Sequence, residues 1–336
     1  MKRILLSAVM TIAATLCAAA VTVSQSDRVV VAYVTSWSRV IPDPSTMTHI
    51  NYAFGHVNDT FDGVRIDNPK RLKVMVNLKK NNPELKVMLS VGGWGSGRFS
   101  EMAAEEANRR SFADDCLRVV EEFGLDGIDI DWEYPTSSLA KISSSPDDTE
   151  NFTELMKELR RALGNDRLLT LASAASAEYI DFKAIEPYVD FVNIMAYDMA
   201  NAPKHHSALY ESEISGDMTS DKAVKAHLAA GVPAEKLVLG MPFYGRGGLK
   251  ISSFNDYKDL HHHTGVVEKW DDKAMVPYLV DEDGVLQLGY DNPRSLKIKC
   301  EYVKENGLKG AMYWDYDGDN EAGDLRNTVA ECILGR

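Results

Sequence analysis

The stretch Gly124-Leu-Asp-Gly-Ile-Asp-Ile-Asp-Trp-Glu-Tyr-Pro135 carries carboxylic acids at every second position: Asp129, Asp131 and Glu133. Side chains alternate faces along a β-strand, so these three acids point one way while Ile128 and Ile130 point the other. Inward-facing carboxylates are expensive. An unpartnered buried carboxylate costs several kcal/mol, and like charges at strand spacing cannot all ionise. At least one proton is therefore retained near neutral pH, and Glu133, the outermost acid, is placed to hold it and give it to a leaving oxygen. A solvated acidic loop would not interleave its acids with Ile128, Ile130 and Trp132. Stacked carboxylates also suit a hard cation, but no glycine follows at the turn position of an EF-hand loop. Nothing nearby resembles a phosphate cradle, so no metal ligands and no cofactor are assigned.

Such a strand needs neighbours that hold its acids at one end of a sheet. Apolar runs occur at Val29–Val34, His49–Phe54, Lys86–Val91, Gly127–Asp131, Leu168–Ala172, Phe191–Met195, Lys236–Met241 and Gly310–Tyr313. Most are continuous rather than alternating, as expected of parallel strands covered on both faces. Helical patterns lie between them. Ser111–Phe123 stops at Gly124, Asp148–Leu163 at Gly164, Ser220–Ala230 at Gly231, and Ser295–Glu305 at Gly307. Eight strands alternating with helices predict an α/β fold, a (β/α)8 TIM barrel, with a doubly wound open sheet as the alternative. Active sites of such barrels lie at the C-terminal ends of the strands, where Glu133 would sit. About 45 residues separate Arg246 from the helix at Ser295, which predicts a small insertion after strand seven at about residues 247–290.

The chain has 336 residues, with 50 acidic against 37 basic side chains and a net charge of -13. That surface repels phosphates and anionic membranes but not a neutral polymer, so nucleic acid is not an expected partner. Lys2 and Arg3 precede an apolar run from Ile4 to about Ala20, the pattern of a secretory signal peptide over residues 1–20. Export to the periplasm, the cell surface or the medium is expected, with the barrel occupying residues 27–336. Cys17 raises lipidation as a lesser alternative, because Leu16 is bulky where lipoprotein signals carry a small residue. Of the remaining cysteines, Cys300 and Cys332 are the better candidates for a bridge. Three free thiols, Cys116 included, are favoured over it. His261-His262-His263 does not point at one centre and has no ligand partner at metal spacing, so it reads as a solvated loop, as do His205 and His206.

Asp126-x-x-Asp129-x-Asp131-x-Glu133 followed by Tyr134-Pro135 resembles the signature of family 18 glycoside hydrolases, the chitinases and their relatives. Other stretches agree in order: Tyr33–Trp37 and Asn51–Phe54 resemble strands one and two, and Ser90-Val91-Gly92-Gly93-Trp94 strand three. Met195-Ala196-Tyr197-Asp198 resembles strand six, Gly240–Arg246 strand seven, and Tyr313-Trp314-Asp315 strand eight. The resemblance runs from about Val29 to the C-terminus. It implies a retaining mechanism in which the substrate's own N-acetyl oxygen is the nucleophile. By that resemblance Glu133 is the acid and later the base. Asp131 orients the acetamido group, Asp129 is its inner partner and holds or shares a proton with it, and Tyr197 donates to the acetamido oxygen. Asp198 is a ligand of the sugar at the cleavage point and Trp314 the floor of that subsite. Trp37, Trp94, Tyr244, Met195, Phe54 and Tyr33 complete the expected substrate contacts. Arg246 would bond sugar or acid groups or form a structural ion pair.

The implied activity is cleavage of β-1,4-linked N-acetylglucosamine polymers or oligomers by a monomer. Two other readings compete: an endo-acting N-acetylglucosaminidase of N-linked glycans, and a catalytically inactive chitin-binding lectin on the same scaffold. Glu133, Asp131 and Tyr197 together argue for turnover, and Tyr134-Pro135 with Tyr244 and Arg246 for a chitinase. The short insertion implies a shallow groove and internal, non-processive cutting. No separate carbohydrate-binding module is recognisable, which makes soluble chains the expected substrate over crystalline chitin.

Overall fold

The computed structural model describes residues 23–248 and 251–336. The leader at residues 1–20, with Cys17, lies outside the described residues. Eight parallel strands form the centre: β1 (Val29–Thr35), β2 (His49–Val57), β3 (Lys86–Gly92), β4 (Gly127–Asp131), β5 (Leu168–Ala174), β6 (Phe191–Met195), β7 (Leu237–Pro242) and β8 (Gly310–Trp314). Each pairs with the next, and β1 pairs with both β2 and β8, so the sheet closes on itself. This is the (β/α)8 barrel and not the open sheet. The α-helices among the described residues are, in chain order, α1 (Pro69–Asn77), α2 (Phe99–Ala104), α3 (Glu106–Phe123), α4 (Asp148–Leu163), α5 (Phe182–Ile185), α6 (Ser220–Ala230), α7 (Pro293–Glu305) and α8 (Asp324–Leu334).

The continuous apolar runs serve two cores. On β1, Val29, Val31 and Tyr33 face the barrel interior with Phe54, Met195 and Met312. Val30, Ala32 and Val34 face outward and join the larger core beneath the helices. In β4 the same alternation sends Ile128 and Ile130 to the helices and leaves Asp129 and Asp131 inside. Just past β4, Trp132 turns outward too, stacked on Phe99 of α2 with ring centroids 5.2 Å apart. Burying this indole and the two isoleucines anchors the acid strand from behind, each side chain contributing about 1.5–3 kcal/mol.

The insertion is a five-stranded antiparallel sheet built from Tyr244–Gly247, Asn255–Asp256, Val267–Asp271, Val276–Val280 and Leu286–Gly289. It begins at Tyr244, earlier than the expected 247, because β7 ends at Pro242 and the chain then leaves the barrel. Tyr244 and Arg246 thus belong to the insertion's first strand and not to strand seven. A buried ion pair fixes the sheet to the barrel: Lys299 of α7 donates to Asp291 and to the Ser207 carbonyl, both at 2.7 Å.

Cys116, Cys300 and Cys332 are free thiols, with Cys300 and Cys332 hydrogen-bonded to each other and not bridged. His205 and His206 are not on a solvated loop. Both are buried; His205 lies 3.1 Å from Asp271 of the insertion, and His206 packs behind Asp198. Two adjacent histidines in a polar sequence carry no apolar pattern that would betray this burial.

Gly127 opens β4 opposite Leu168 of β5, where a Cβ would stand 2.1 Å from the Leu168 carbonyl oxygen. Backbone cannot yield there as a flexible side chain would. Gly127→Ala is expected to destabilise the fold by about 3 kcal/mol, read as a lowered denaturant midpoint; an unchanged midpoint would contradict this packing.

Candidate active site

The parallel register builds the floor of the site. Asp129 on β4 lies level with Ser90 on β3 and Thr170 on β5, and all three are buried. The Asp129 carboxylate accepts hydrogen bonds from Tyr33 Oη (2.8 Å), Ser90 Oγ (2.8 Å), Thr170 Oγ1 (2.6 Å) and Asn193 Nδ2 (3.2 Å). Burial pushes its pKa up, and these four donors pull against it. A carboxylate surrounded by donors is the one that carries its charge most cheaply.

Asp131 sits one layer higher and differs sharply. Its Oδ1 is buried and has no hydrogen-bond partner among protein groups. Burial, then the neighbouring Glu133 and Asp129, push its pKa well above the usual carboxylate range. Asp131 therefore holds its proton more tightly than a free carboxyl does.

Glu133 lies two residues further, past the end of β4 and partly buried at the mouth. Burial raises its pKa to about 7 against the pull of a hydrogen bond from Tyr134, with Asp198 adding to the rise. The row thus runs from Asp129, fully hydrogen-bonded at the floor, to Glu133 at the mouth, as the alternation in the sequence implies.

Above them opens a cleft of about 760 Å³. Asp131, Glu133, Tyr197, Asp198, Met195, Tyr33, Phe54, Trp37, Trp94, Tyr244, Arg246 and Trp314 all line it, so every expected contact residue except Asp129 reaches one cavity. Tyr33 is divided between roles, since its hydroxyl is spent on Asp129. Trp314 stacks on Phe54 at 5.6 Å and lies 5.7 Å from Tyr33, which leaves it partly exposed as a floor. Trp37 and Trp94 are 64% and 65% exposed, too open to be core packing. The Tyr197 hydroxyl has only the Met312 sulfur at 3.8 Å, a weak acceptor, and burial keeps it protonated. It is free to donate into the cleft.

Asp198 faces the cleft in the left-handed backbone region, with φ of 56°. Tyr244 Oη donates to its Oδ1 at 2.8 Å, and Arg246 clamps both oxygens through Nε (2.6 Å) and Nη2. The Asp198 amide donates to His206 Nδ1 at 3.3 Å. Burial works to raise the Asp198 pKa, but His206 and Arg246 hold it well below the usual range. Arg246 is therefore committed to an ion pair, one of the two roles expected for it. The loop from Asp198 to His206 is closed a second time where Met199 N donates to the His206 carbonyl at 3.1 Å. Sequence reasoning missed His206 behind Asp198, and Ser90, Thr170 and Asn193 around Asp129. Only inter-strand register and the loop's path bring them there.

Among the described residues no cluster of three or more His, Cys, Asp or Glu could hold a metal ion. The triple histidine 261–263 joins no such cluster.

Comparison with known proteins places this geometry. The model of the family described as glycosyl hydrolases family 18 matches residues 29–319. Chitinase A1 of Niallia circulans is 35% identical over 330 residues, covering 83% of this chain and 46% of its own length. The chain therefore spans less than half of that relative. Chitotriosidase-1 of Mus musculus is 32% identical, with 88% of this chain and 74% of that one covered. Among solved structures, a family 18 N-acetylglucosaminidase from Paenibacillus barengoltzii superposes with a TM-score of 0.83 at 35% identity, covering 91% of this chain and 99% of that chain. The group IV chitinase of Ostrinia furnacalis in complex with allosamidin gives a TM-score of 0.83 at 30% identity, covering 92% and 99%. The chain belongs to family 18 of the glycosyl hydrolases.

Proposed function

We propose that this protein is a chitinase-type retaining glycosidase that cleaves β-1,4-linked N-acetylglucosamine chains with help from the substrate's own acetamido group. One observation carries the proposal: Glu133 stands at the mouth of a cleft with its pKa raised to about 7 by burial, Asp131 lies behind it with its pKa also raised, and the Tyr197 hydroxyl and the Trp314 ring line the same space. The similarity to chitinase A1 and chitotriosidase-1 supports the same reading.

Trp314 receives the apolar face of the sugar, and Asp198, held by Arg246 and Tyr244, accepts from its hydroxyls. Tyr197 donates to the acetamido oxygen and Asp131 meets the acetamido N–H, which sets that oxygen beside the anomeric carbon and makes the attack intramolecular. Glu133 gives its proton to the glycosidic oxygen as the C–O bond breaks, and the acetamido oxygen bonds to the anomeric carbon to form an oxazolinium ion. Positive charge on its nitrogen is steadied by the acid pair Asp131 and Asp129, in a site with little water. Glu133, now a carboxylate, takes a proton from water. The water oxygen attacks the anomeric carbon, the ring opens, and two inversions leave net retention.

The reading extends to the setting. The basic-then-apolar start from Lys2 to Ala20 supports export. The small insertion supports a shallow groove with internal cutting. A second reading, endo-acting cleavage of N-linked glycans, would use the same acid row and the same acetamido-assisted step.

A product assay with chitopentaose and, in parallel, a high-mannose glycopeptide separates the two: shorter chito-oligosaccharides from the first and an intact glycopeptide are expected, and the reverse would overturn the chitinase reading. Glu133→Gln should lower kcat by at least about 10²-fold, the usual share of a general acid, while sugar binding persists; turnover by this variant would sink the assigned role. The pH dependence follows from the same residue. Glu133 acts from its protonated form and loses that proton as pH rises through about 7, so kcat should fall on the alkaline side with a midpoint near that value. A flat profile between pH 5 and 9 would contradict the assignment.

A further inference from the structure

The insertion after β7 brings an aromatic ring to the cleft that neither the motif nor the acid row accounts for. Phe254 is 43% exposed and lines the same cavity as Glu133 and Trp314. One face of its ring is stacked on Tyr244, with centroids 4.4 Å apart and planes 20° from parallel. The Arg246 guanidinium lies 6.0 Å from its centroid. With one face covered by a buried tyrosine and the side chain still over two-fifths exposed, the other face opens into the cleft.

The ring is also held in place. Asn255 and Asp256 pair antiparallel with Gly245 and Tyr244, and Phe254 immediately precedes this short ladder. Arg246 Nη1 donates to the Ser253 carbonyl at 3.4 Å, and Asn255 Nδ2 to the Ser252 carbonyl at 2.6 Å. A large apolar ring kept in water by a rigid support loses little entropy when a ligand covers it, which is the design of a binding platform.

Its position gives it a distinct task. Trp94 follows the third strand of the barrel and Phe254 the seventh, four strands apart in a closed ring of eight, so the two rings stand on opposite rims of the mouth. A linear sugar chain that runs beyond the cleavage point must cross one rim or the other. The apolar C–H face of a pyranose matches an aromatic face, and the Asp198–Arg246 pair beside it supplies partners for the ring hydroxyls.

We propose that Phe254 is a specificity-determining residue, the platform of an additional amino-sugar subsite on the insertion side of the cleft, which rewards chains long enough to reach it. This inference rests on the glycosidase reading above. The subsite explains what a small insertion contributes: it offers a ring at the rim in place of a deep wall.

Binding of chito-oligosaccharides of three and six units, measured by calorimetry on the Glu133→Gln protein, tests this directly. Adding Phe254→Ala or Phe254→Leu should weaken binding of the hexamer about tenfold and leave the trimer within twofold; Phe254→Trp should retain the hexamer. Leucine keeps apolar bulk on Tyr244 without a flat face, so it separates stacking from support of the fold. Undiminished hexamer binding by the Leu variant, or an equal loss at both lengths, would overturn the subsite. If the Glu133→Gln protein binds no chito-oligosaccharide and the unaltered enzyme cleaves none, the glycosidase reading itself falls, a result distinct from failure of the Phe254 subsite alone.

Discussion

Three carboxylic acids on one inward face of a single strand cannot all be charged, and the rest of the structure is arranged around that constraint. The barrel meets it unevenly. Asp129 receives four donors from β1, β3, β5 and β6 and can keep its charge. Asp131 receives none on Oδ1 and lies between two other acids, so its pKa is pushed well above the usual carboxylate range. Glu133 at the edge is pushed just far enough to hold a proton near neutral pH. The three acids thus differ in how tightly they hold a proton, through their burial, their acidic neighbours and where the donors stand.

The same economy shapes the other side of the cleft. Asp198 must face a sugar while remaining charged, and it does so because Arg246 and Tyr244 donate to its carboxylate and His206 lies 3.5 Å from it. Two of these come from the first strand of the insertion, which the Lys299–Asp291 pair ties to the barrel. The insertion is therefore part of the site's electrostatics as well as its wall. Proton donor and sugar clamp stand on different strands, so each can be set without disturbing the other, a division that barrels allow because every strand ends at the same mouth.

Much of this was legible in the residues. Gly127–Asp131 and Phe191–Met195 are strands with the bounds read from sequence: Ile128 and Ile130 alternate with acids in the first, and a short apolar run is broken only by Asn193 in the second. Helix α4 likewise runs from Asp148 to Leu163, marked by acids at its start and Gly164 at its end. Helix α3 begins earlier than expected, at Glu106, because Glu-Ala-Asn-Arg-Arg shows no apolar stripe. The strands of the insertion are short, and Val267–Asp271 is largely exposed, so period-two alternation does not reveal them. What the sequence hid at the site has one physical origin. Ser90, Thr170, Asn193 and His206 act through register and loop closure, and neither leaves a trace in the order of residues along one chain.

The account stands on the protonation order of the acid row, and a carboxyl carbon-13 NMR titration of the intact protein tests it most directly. Asp131 should remain protonated through neutral pH while Glu133 loses its proton near pH 7. If both instead titrated near the ordinary carboxyl value of about 4, the strand would carry charges the fold does not confine, and the chemistry assigned to Glu133 would have no source.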